Sequence, residues 1–202
     1  MADAIHATVL GESLMLKTSP GLFSPGHVDR GTLAMLGVAV FEPGLKVLDL
    51  GCGCGVVGIL AAKKCGDENV WLVDIDPEAV AVARKNAETN GAGGVTCVIS
   101  DGVKQLTEAG FDLILSNPPY QSDFAVAKAF IEKGFNRLKL GGRMLMVVKR
   151  REWYKNKLIS VFGGVKIHEI DGYYVFEAVK RSPNYAKRTQ KPGKSSDKLP
   201  QT

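Results

Sequence analysis

The stretch KVLDLGCGCGVVG, residues 46–58, constrains this chain more than any other. It opens on a short apolar run of the kind that fills the centre of a parallel sheet. Gly51, Gly53 and Gly55 then end the strand abruptly, and Val56, Val57, Ile59 and Leu60 recur at helical spacing. A strand, a glycine turn and a helix in immediate succession let backbone approach a nucleotide-like ligand at a helix N-terminus. The same glycines also suit a tight turn for steric reasons alone, so their meaning depends on the strands further along the chain.

A second strand over residues 70–74 ends on Asp74, at about the two-dozen-residue spacing where a carboxylate accepts hydrogen bonds from ribose hydroxyls. Dinucleotides and S-adenosylmethionine both fit this much. Asp49, directly before the glycines, helps to separate them: a carboxylate there repels a pyrophosphate and suits the cationic end of S-adenosylmethionine. The series Asp49, Gly51, Gly53 and Gly55 resembles the first motif of Rossmann-like S-adenosylmethionine-dependent methyltransferases.

The chain has 202 residues, 45% of them hydrophobic, enough for one α/β domain with a sizeable core. That domain is expected over residues 1–182, followed by a basic, disordered tail over 183–202. The net charge of +5 divides unevenly, with seven basic residues and one acid from Lys180 onward, so the stretch from Lys180 to the last residue carries +6 and the remainder −1. A polar tail of this kind either holds nucleic acid through phosphates or is a solvated end. Cys52, Cys54, Cys65 and Cys97 lie in or beside core elements and are read as small fillers in a reducing, cytoplasmic protein. No second Cys or His pair accompanies Cys52 and Cys54 at ligand spacing, so no metal is expected. No apolar run approaches the roughly 20 residues a bilayer requires, and no membrane association is expected.

In order along the chain, Ala7 to Thr18 reads as a β-hairpin turning at Gly11-Glu12. A Pro- and Gly-rich loop with Phe23, His27, Asp29 and Thr32 leads into a first helix through Leu33, Leu36 and Val40, and in a doubly wound fold it covers the cofactor crevice. Phe23 filling the core and Asp29 capping the helix are the competing structural readings. His27 reads as an ordinary loop histidine. Asp76-Pro77 starts a helix ending near Asn90-Gly91.

A strand over residues 95–99 leaves through Asp101-Gly102, at the strand edge where open parallel sheets bind ligands. Asp101 there either accepts a hydrogen bond from an adenine amino group or caps the turn. The strand over residues 111–116 runs into Asn117-Pro118-Pro119-Tyr120. Two prolines fix the backbone and remove two donors, leaving acceptors suited to an amino group, with Tyr120 as a face for stacking. An amphipathic helix over residues 123–138, a Leu140-Gly-Gly142 loop and a strand over 143–148 come next. Lys149-Arg150-Arg151, with Trp153, Tyr154, Lys155 and Lys157, is either a phosphate-contacting cluster or a solvated helix start. A helix to Phe162 and a hairpin joined by Asp171-Gly172 close the fold. It is thus expected to be α/β: a Rossmann-like, seven-stranded, mostly parallel sheet with helices on both faces, the last strand antiparallel, plus the N-terminal hairpin.

From Ala7 to Lys180 the chain resembles single-domain relatives of the ribosomal RNA small-subunit guanine-N2 methyltransferases. The matching pieces are GLFS at 21–24, VDRGT at 28–32, the Asp49 glycine loop, Asp74, Asp101, NPPY at 117–120 and GYYVFEA at 172–178. The resemblance implies S-adenosylmethionine as methyl donor, S-adenosylhomocysteine as product and no metal. It places cofactor contacts at Phe23, Thr32, Asp49, Gly51, Cys52, Gly53, Asp74, Ile75, Asp101, Gly102 and Asn117, and catalysis at Asn117, Pro118, Pro119 and Tyr120. It implies RNA, in ribosomal RNA or a ribosomal subunit, as partner and guanine N2 as acceptor. Longer family members carry a second, degenerate domain before the catalytic one, and no counterpart is expected here, which leaves substrate choice open. Protein glutamine and adenine N6 are acceptors in other Asn-Pro-Pro-Tyr enzymes. A non-catalytic RNA-binding or assembly protein would keep the fold alone, and a nicotinamide dehydrogenase would leave Asn117 to Tyr120 unexplained.

Overall fold

The structure, a computed structural model, describes residues 4–18, 27–119 and 124–186. Phe23, Tyr120 and the tail from residue 187 lie outside the described residues, so the readings that fall on them concern the sequence alone.

Two strands, β1 (Ile5–Val9) and β2 (Glu12–Leu16), form the expected hairpin as a separate sheet. Its turn is Leu10-Gly11, one residue earlier than Gly11-Glu12, because both of these take positive φ (48° and 81°) and Glu12 already pairs with Val9. Positive φ at both central positions matches the twist of paired strands. The helix α1 (Arg30–Val38) leads to β3 (Val47–Leu50), α2 (Val56–Cys65), β4 (Val70–Asp74), α3 (Pro77–Thr89) and β5 (Thr96–Ile99). After these come β6 (Phe111–Ser116), α4 (Phe124–Arg137), β7 (Leu138–Val148), α5 (Glu152–Phe162), β8 (Lys166–Ile170) and β9 (Tyr173–Val179).

The main sheet has seven strands in the order β5-β4-β3-β6-β7-β9-β8. β3 pairs in parallel with both β4 and β6, whereas β9 is antiparallel to β7 and β8. This is the Rossmann-like sheet expected from the sequence. Its order reverses beside β3, so a crevice opens at the C-terminal ends of β3, β4 and β6, where open α/β sheets bind ligands.

Strand alternation sorts side chains onto two core layers. Val47, Leu72, Leu113, Leu145 and Val147 face a layer with Met35, Ile59, Leu60 and Ala83, which also receives Leu14 and Leu16 of the hairpin. Leu48, Leu50, Val73, Ile114, Met144 and Met146 face a second layer with Ile131, Phe135, Leu158 and Phe162. Helices therefore cover both faces of the sheet, and the central strand β3 is apolar except at Asp49, where the site begins.

Three details were absent from the sequence reading. β7 begins at Leu138 with no intervening loop, its pairing with β6 shifting register between Phe111 and Leu113. Gly141, at φ 81°, bends the strand there while its N–H donates to Lys180 O. The hairpin is bolted to α3 by side chains that imitate a strand: Asn86 bonds both N–H and C=O of Lys17, and Asn90 does the same for Met15. Finally, the folded part passes residue 182. The Tyr185 ring packs edge-on against Phe135, its hydroxyl donates to Glu132 O, and Ala186 N donates to Val161 O.

Candidate active site

The loops that leave β3, β4, β5 and β6 enclose a cavity of about 360 Å³, within the range of small-ligand sites. Asp49, Gly51, Cys52 and Gly53 from the first loop line it, with Asp74 and Ile75 from the second and Asp101 and Gly102 from the third. Asn117 and Pro119 complete it from the fourth, beside Thr32 of α1. Ser116 is what joins two of these corners. Its buried hydroxyl donates 2.8 Å to Leu50 O, holding the residue before Asn117 against the residue before Gly51.

Each carboxylate sits differently. Asp49 is buried, and Oδ2 accepts from Gly58 N at 2.9 Å in the first turn of α2. Desolvation pushes its carboxyl up to about 7; the Gly58 bond opposes this and neighbouring Asp74 adds to it. Asp74 holds the glycine loop and its own turn, accepting from Gly53 N (2.9 Å) and Asp76 N (3.1 Å). Asp101 is more exposed and ion-paired with Lys104, while Gln105 anchors its loop by accepting from Asp101 N and contacting the Ser100 hydroxyl. Three carboxyls around one cavity favour a cationic or hydroxyl-rich ligand.

The apolar wall is partly a surprise. Ile75 follows the end of β4, 65% exposed, and the Phe130 ring from α4 lines the cavity beside Gly51 and Gly102. A Cβ added at Gly51 or Gly102 would rest 3.5 and 3.6 Å from that ring, an ordinary contact. These glycines are thus required by their φ of 80° and 61°, not by lack of room.

At Asn117 the polar geometry converges. Nδ2 donates to Asp29 Oδ2 at 2.8 Å and to Thr32 Oγ1 at 2.9 Å. Oδ1 is buried and, among the described residues, has no hydrogen-bond partner. Buried acceptors are rarely left unmade, since each unsatisfied group costs about 1–3 kcal/mol. Here that acceptor belongs to a residue lining the ligand cavity.

The methyltransferase small domain family matches residues 13–177. The chain belongs to that family. A ribosomal RNA small subunit methyltransferase C of Hahella chejuensis is 33% identical over 174 residues, 84% of this chain and 50% of the relative. Bacillus subtilis YbxB is 31% identical over 167 residues and is covered over 83% of its own length. The solved T. thermophilus 16S rRNA N2 G1207 methyltransferase in complex with AdoMet and guanosine superposes with a TM-score of 0.79 at 32% identity, covering 88% of this chain and 50% of that one. The chain therefore spans about half the length of the ribosomal RNA methyltransferases it matches, and most of YbxB.

In this methyltransferase small-domain protein, the residues expected from the sequence converge, apart from Phe23 and Tyr120, which are not described, and Pro118, which is buried beside the cavity without lining it. Thr32 lines the cavity but uses its hydroxyl oxygen on Asn117. His27, read as an ordinary loop histidine, is a wall residue, as are Val126 and Phe130 of α4 and Ile5, Leu16 and Thr18 of the hairpin. No local pattern marks these as site residues, because they reach the cavity only through packing of distant segments. Asp29 caps α1 as the structural reading held, and also serves the site.

The four cysteines are free thiols, Cys52 and Cys65 buried and the others half-buried, and burial raises all four. Among the described residues no cluster of His, Cys, Asp and Glu could hold a metal, and no helix is long and apolar enough to cross a membrane. Beyond Asn117 on the same rim, the end of β7 carries Lys149, Arg150 and Arg151. Arg150 lies 5.5 Å over the Phe124 ring, which stacks on Trp153.

Proposed function

We propose that this protein transfers a methyl group from S-adenosylmethionine to the N2 amine of guanine in RNA, with ribosomal RNA as the substrate class. The observation that carries this reading is Oδ1 of Asn117, buried and, among the described residues, without a partner, on a residue that lines the cavity. The relatives named as ribosomal RNA methyltransferases, and the one solved with AdoMet and guanosine, support the choice of donor and base.

The residues fit the donor. Asp74 keeps lone pairs for ribose hydroxyls, Ile75 and Phe130 offer apolar faces to adenine, and Asp49 suits the cationic methionine end. S-adenosylmethionine supplies a methyl carbon on a sulfonium, which the amine lone pair attacks while the S–C bonding pair returns to sulfur. The guanine amine is conjugated with its ring and a weak nucleophile. By accepting one of its hydrogens, Asn117 Oδ1 turns the lone pair toward the methyl and steadies the positive charge that grows on nitrogen. Orientation supplies most of the remaining acceleration, and the surplus proton on nitrogen passes to solvent. A base within a helix must swing out to enter the cavity. Arg150 and Arg151 follow the C-terminal end of β7 and Lys155 lies in the first turns of α5, so they would supply positive charge for the flanking phosphates of such a strand.

The test is transfer of label from S-adenosylmethionine to total RNA, isolated ribosomal subunits and a protein fraction, followed by digestion. We expect N2-methylguanosine in the RNA. Asn117→Ala is expected to lower kcat on the order of 10²–10³-fold, the cost of losing one preorganised polar contact to a transition state, with the donor's Kd almost unchanged. Label in protein or on adenine, or an active Asn117→Ala variant, would overturn the reading.

A further inference from the structure

We propose that Asp29 and Thr32 are positioning residues that decide which end of the Asn117 amide faces the cavity, and that the Asp29 carboxylate makes that end a stronger acceptor. The inference rests on the methyl-transfer reading above for its consequence, although the lock itself is a property of the folded chain.

The two ends of a carboxamide are nearly the same size, so shape does not choose between them. Rotated by half a turn, Asn117 would offer two N–H donors to an incoming amine, and donors would face donors. The chemistry behind the residue forbids that orientation. Asp29 Oδ2 already accepts from Thr32 N at 2.8 Å, and a carboxylate oxygen can only accept. Opposite an acceptor the amide must present nitrogen, and its second hydrogen goes to Thr32 Oγ1. Both donors of Asn117 are then used and Oδ1 is left over, buried and, among the described residues, without a partner. A flipped amide would press carbonyl oxygen against carboxylate oxygen.

The lock is made by an ordinary helix cap. Asp29 is the N-cap of α1, and its bond to Thr32 N draws the third residue of the helix back over the cap. That bond sets Asp29 Oδ2 and Thr32 Oγ1 side by side, at the separation one amide nitrogen can bridge. The start of α1 thus reads out onto the end of β6, 85 to 88 residues away in the chain.

Charge adds to geometry. A carboxylate that accepts from the amide nitrogen pulls the amide's electron density toward Oδ1, because linked hydrogen bonds polarise one another. The substrate amine donates more strongly as methyl transfer makes its nitrogen positive. The gain is therefore larger in the transition state than in the ground state and belongs in kcat.

Thr32→Val keeps the shape and removes the acceptor, Thr32→Ser restores it, and Asp29→Asn removes the charge while one carbonyl oxygen can still take both bonds. We expect Thr32→Val and Asp29→Asn to lower kcat on the order of 10- to 100-fold, as misplacement of a reacting group does, with S-adenosylmethionine Kd and Tm near wild type. Thr32→Ser should recover most of the loss. A second readout needs no activity: in ¹⁵N-labelled protein the two Asn117 side-chain protons should be resolved and slow to exchange, and lose that protection in Thr32→Val. Wild-type kcat in Thr32→Val, a Thr32→Ser variant as impaired as Thr32→Val, or fast-exchanging Asn117 protons in the wild type would each overturn the lock. A wild-type protein that methylates nothing would instead overturn the proposed function, and the exchange measurement would still decide the lock.

Discussion

Asp49 illustrates how one buried side chain couples folding, protonation and ligand charge. Its carboxyl rises from the ordinary 3.8 to about 7 because burial removes water and only Gly58 N compensates. The folded chain thus holds this proton more tightly than the unfolded chain. The associated stability is fully present below about pH 4 and is lost as pH rises through about 7. The span corresponds to roughly 2–4 kcal/mol, allowing for relaxation of the site. Asp49→Asn, which can keep the bond from Gly58 N, should therefore raise Tm relative to wild type at pH 8 and not at pH 4. A cationic ligand favours the carboxylate, so binding of S-adenosylmethionine should expel a proton below pH 7 and weaken as pH falls. Calorimetry in buffers of different ionisation enthalpy measures that proton, and in the Asp49→Asn variant it should vanish together with most of the affinity.

Among elements, α2 shows how closely helix and sheet must approach for the glycine loop to sit at the cavity. Gly58 lies on the face of α2 that meets β4. A Cβ there would stand 2.4 Å from Leu72 Cγ and under 3 Å from both of its methyl carbons, and Leu72 is fully buried. Gly134 of α4 has a similar clash, 2.3 Å, but with the terminal methyl of Met144, which can rotate away. Gly58→Ala should therefore cost about 1–3 kcal/mol, the usual range for overpacking, and Gly134→Ala clearly less. Urea unfolding of the two variants checks the order. Because Gly58 N also binds Asp49, the first substitution should weaken donor binding as well, and the second should not.

At the scale of the molecule, acidic and basic groups are segregated along one rim. Asp49, Asp74 and Asp101 surround the cavity, whereas Lys149, Arg150, Arg151 and Lys155 follow the adjacent strand end, with Glu152 paired to Arg151 at 2.7 Å. This division suits a cationic donor inside and a polyanion outside. Arg150→Ala and Arg151→Ala should each weaken RNA binding regardless of sequence and lower the slope of log K against log salt by about 1. S-adenosylmethionine affinity should not move. Unchanged salt slopes in both variants would place the RNA elsewhere.

Local chemistry alone determined most of the architecture. Strand and helix periods, Asp76-Pro77 at a helix start, Asp171-Gly172 at a hairpin and the glycines after Asp49 each act through neighbours a few residues apart, so their outcome was legible from the chain. That the chain turns at Asn117 was legible for the same reason, since two prolines restrict backbone wherever they occur. What only the tertiary structure decided was every property that depends on which distant atoms meet: Phe130 and His27 in the cavity wall, Asn86 and Asn90 gripping the hairpin, and the direction of the Asn117 amide. Asparagine has two opposite ends and no intrinsic preference between them. Asp29 and Thr32, brought beside it by packing, left one end satisfied and the other buried without a partner among the described residues.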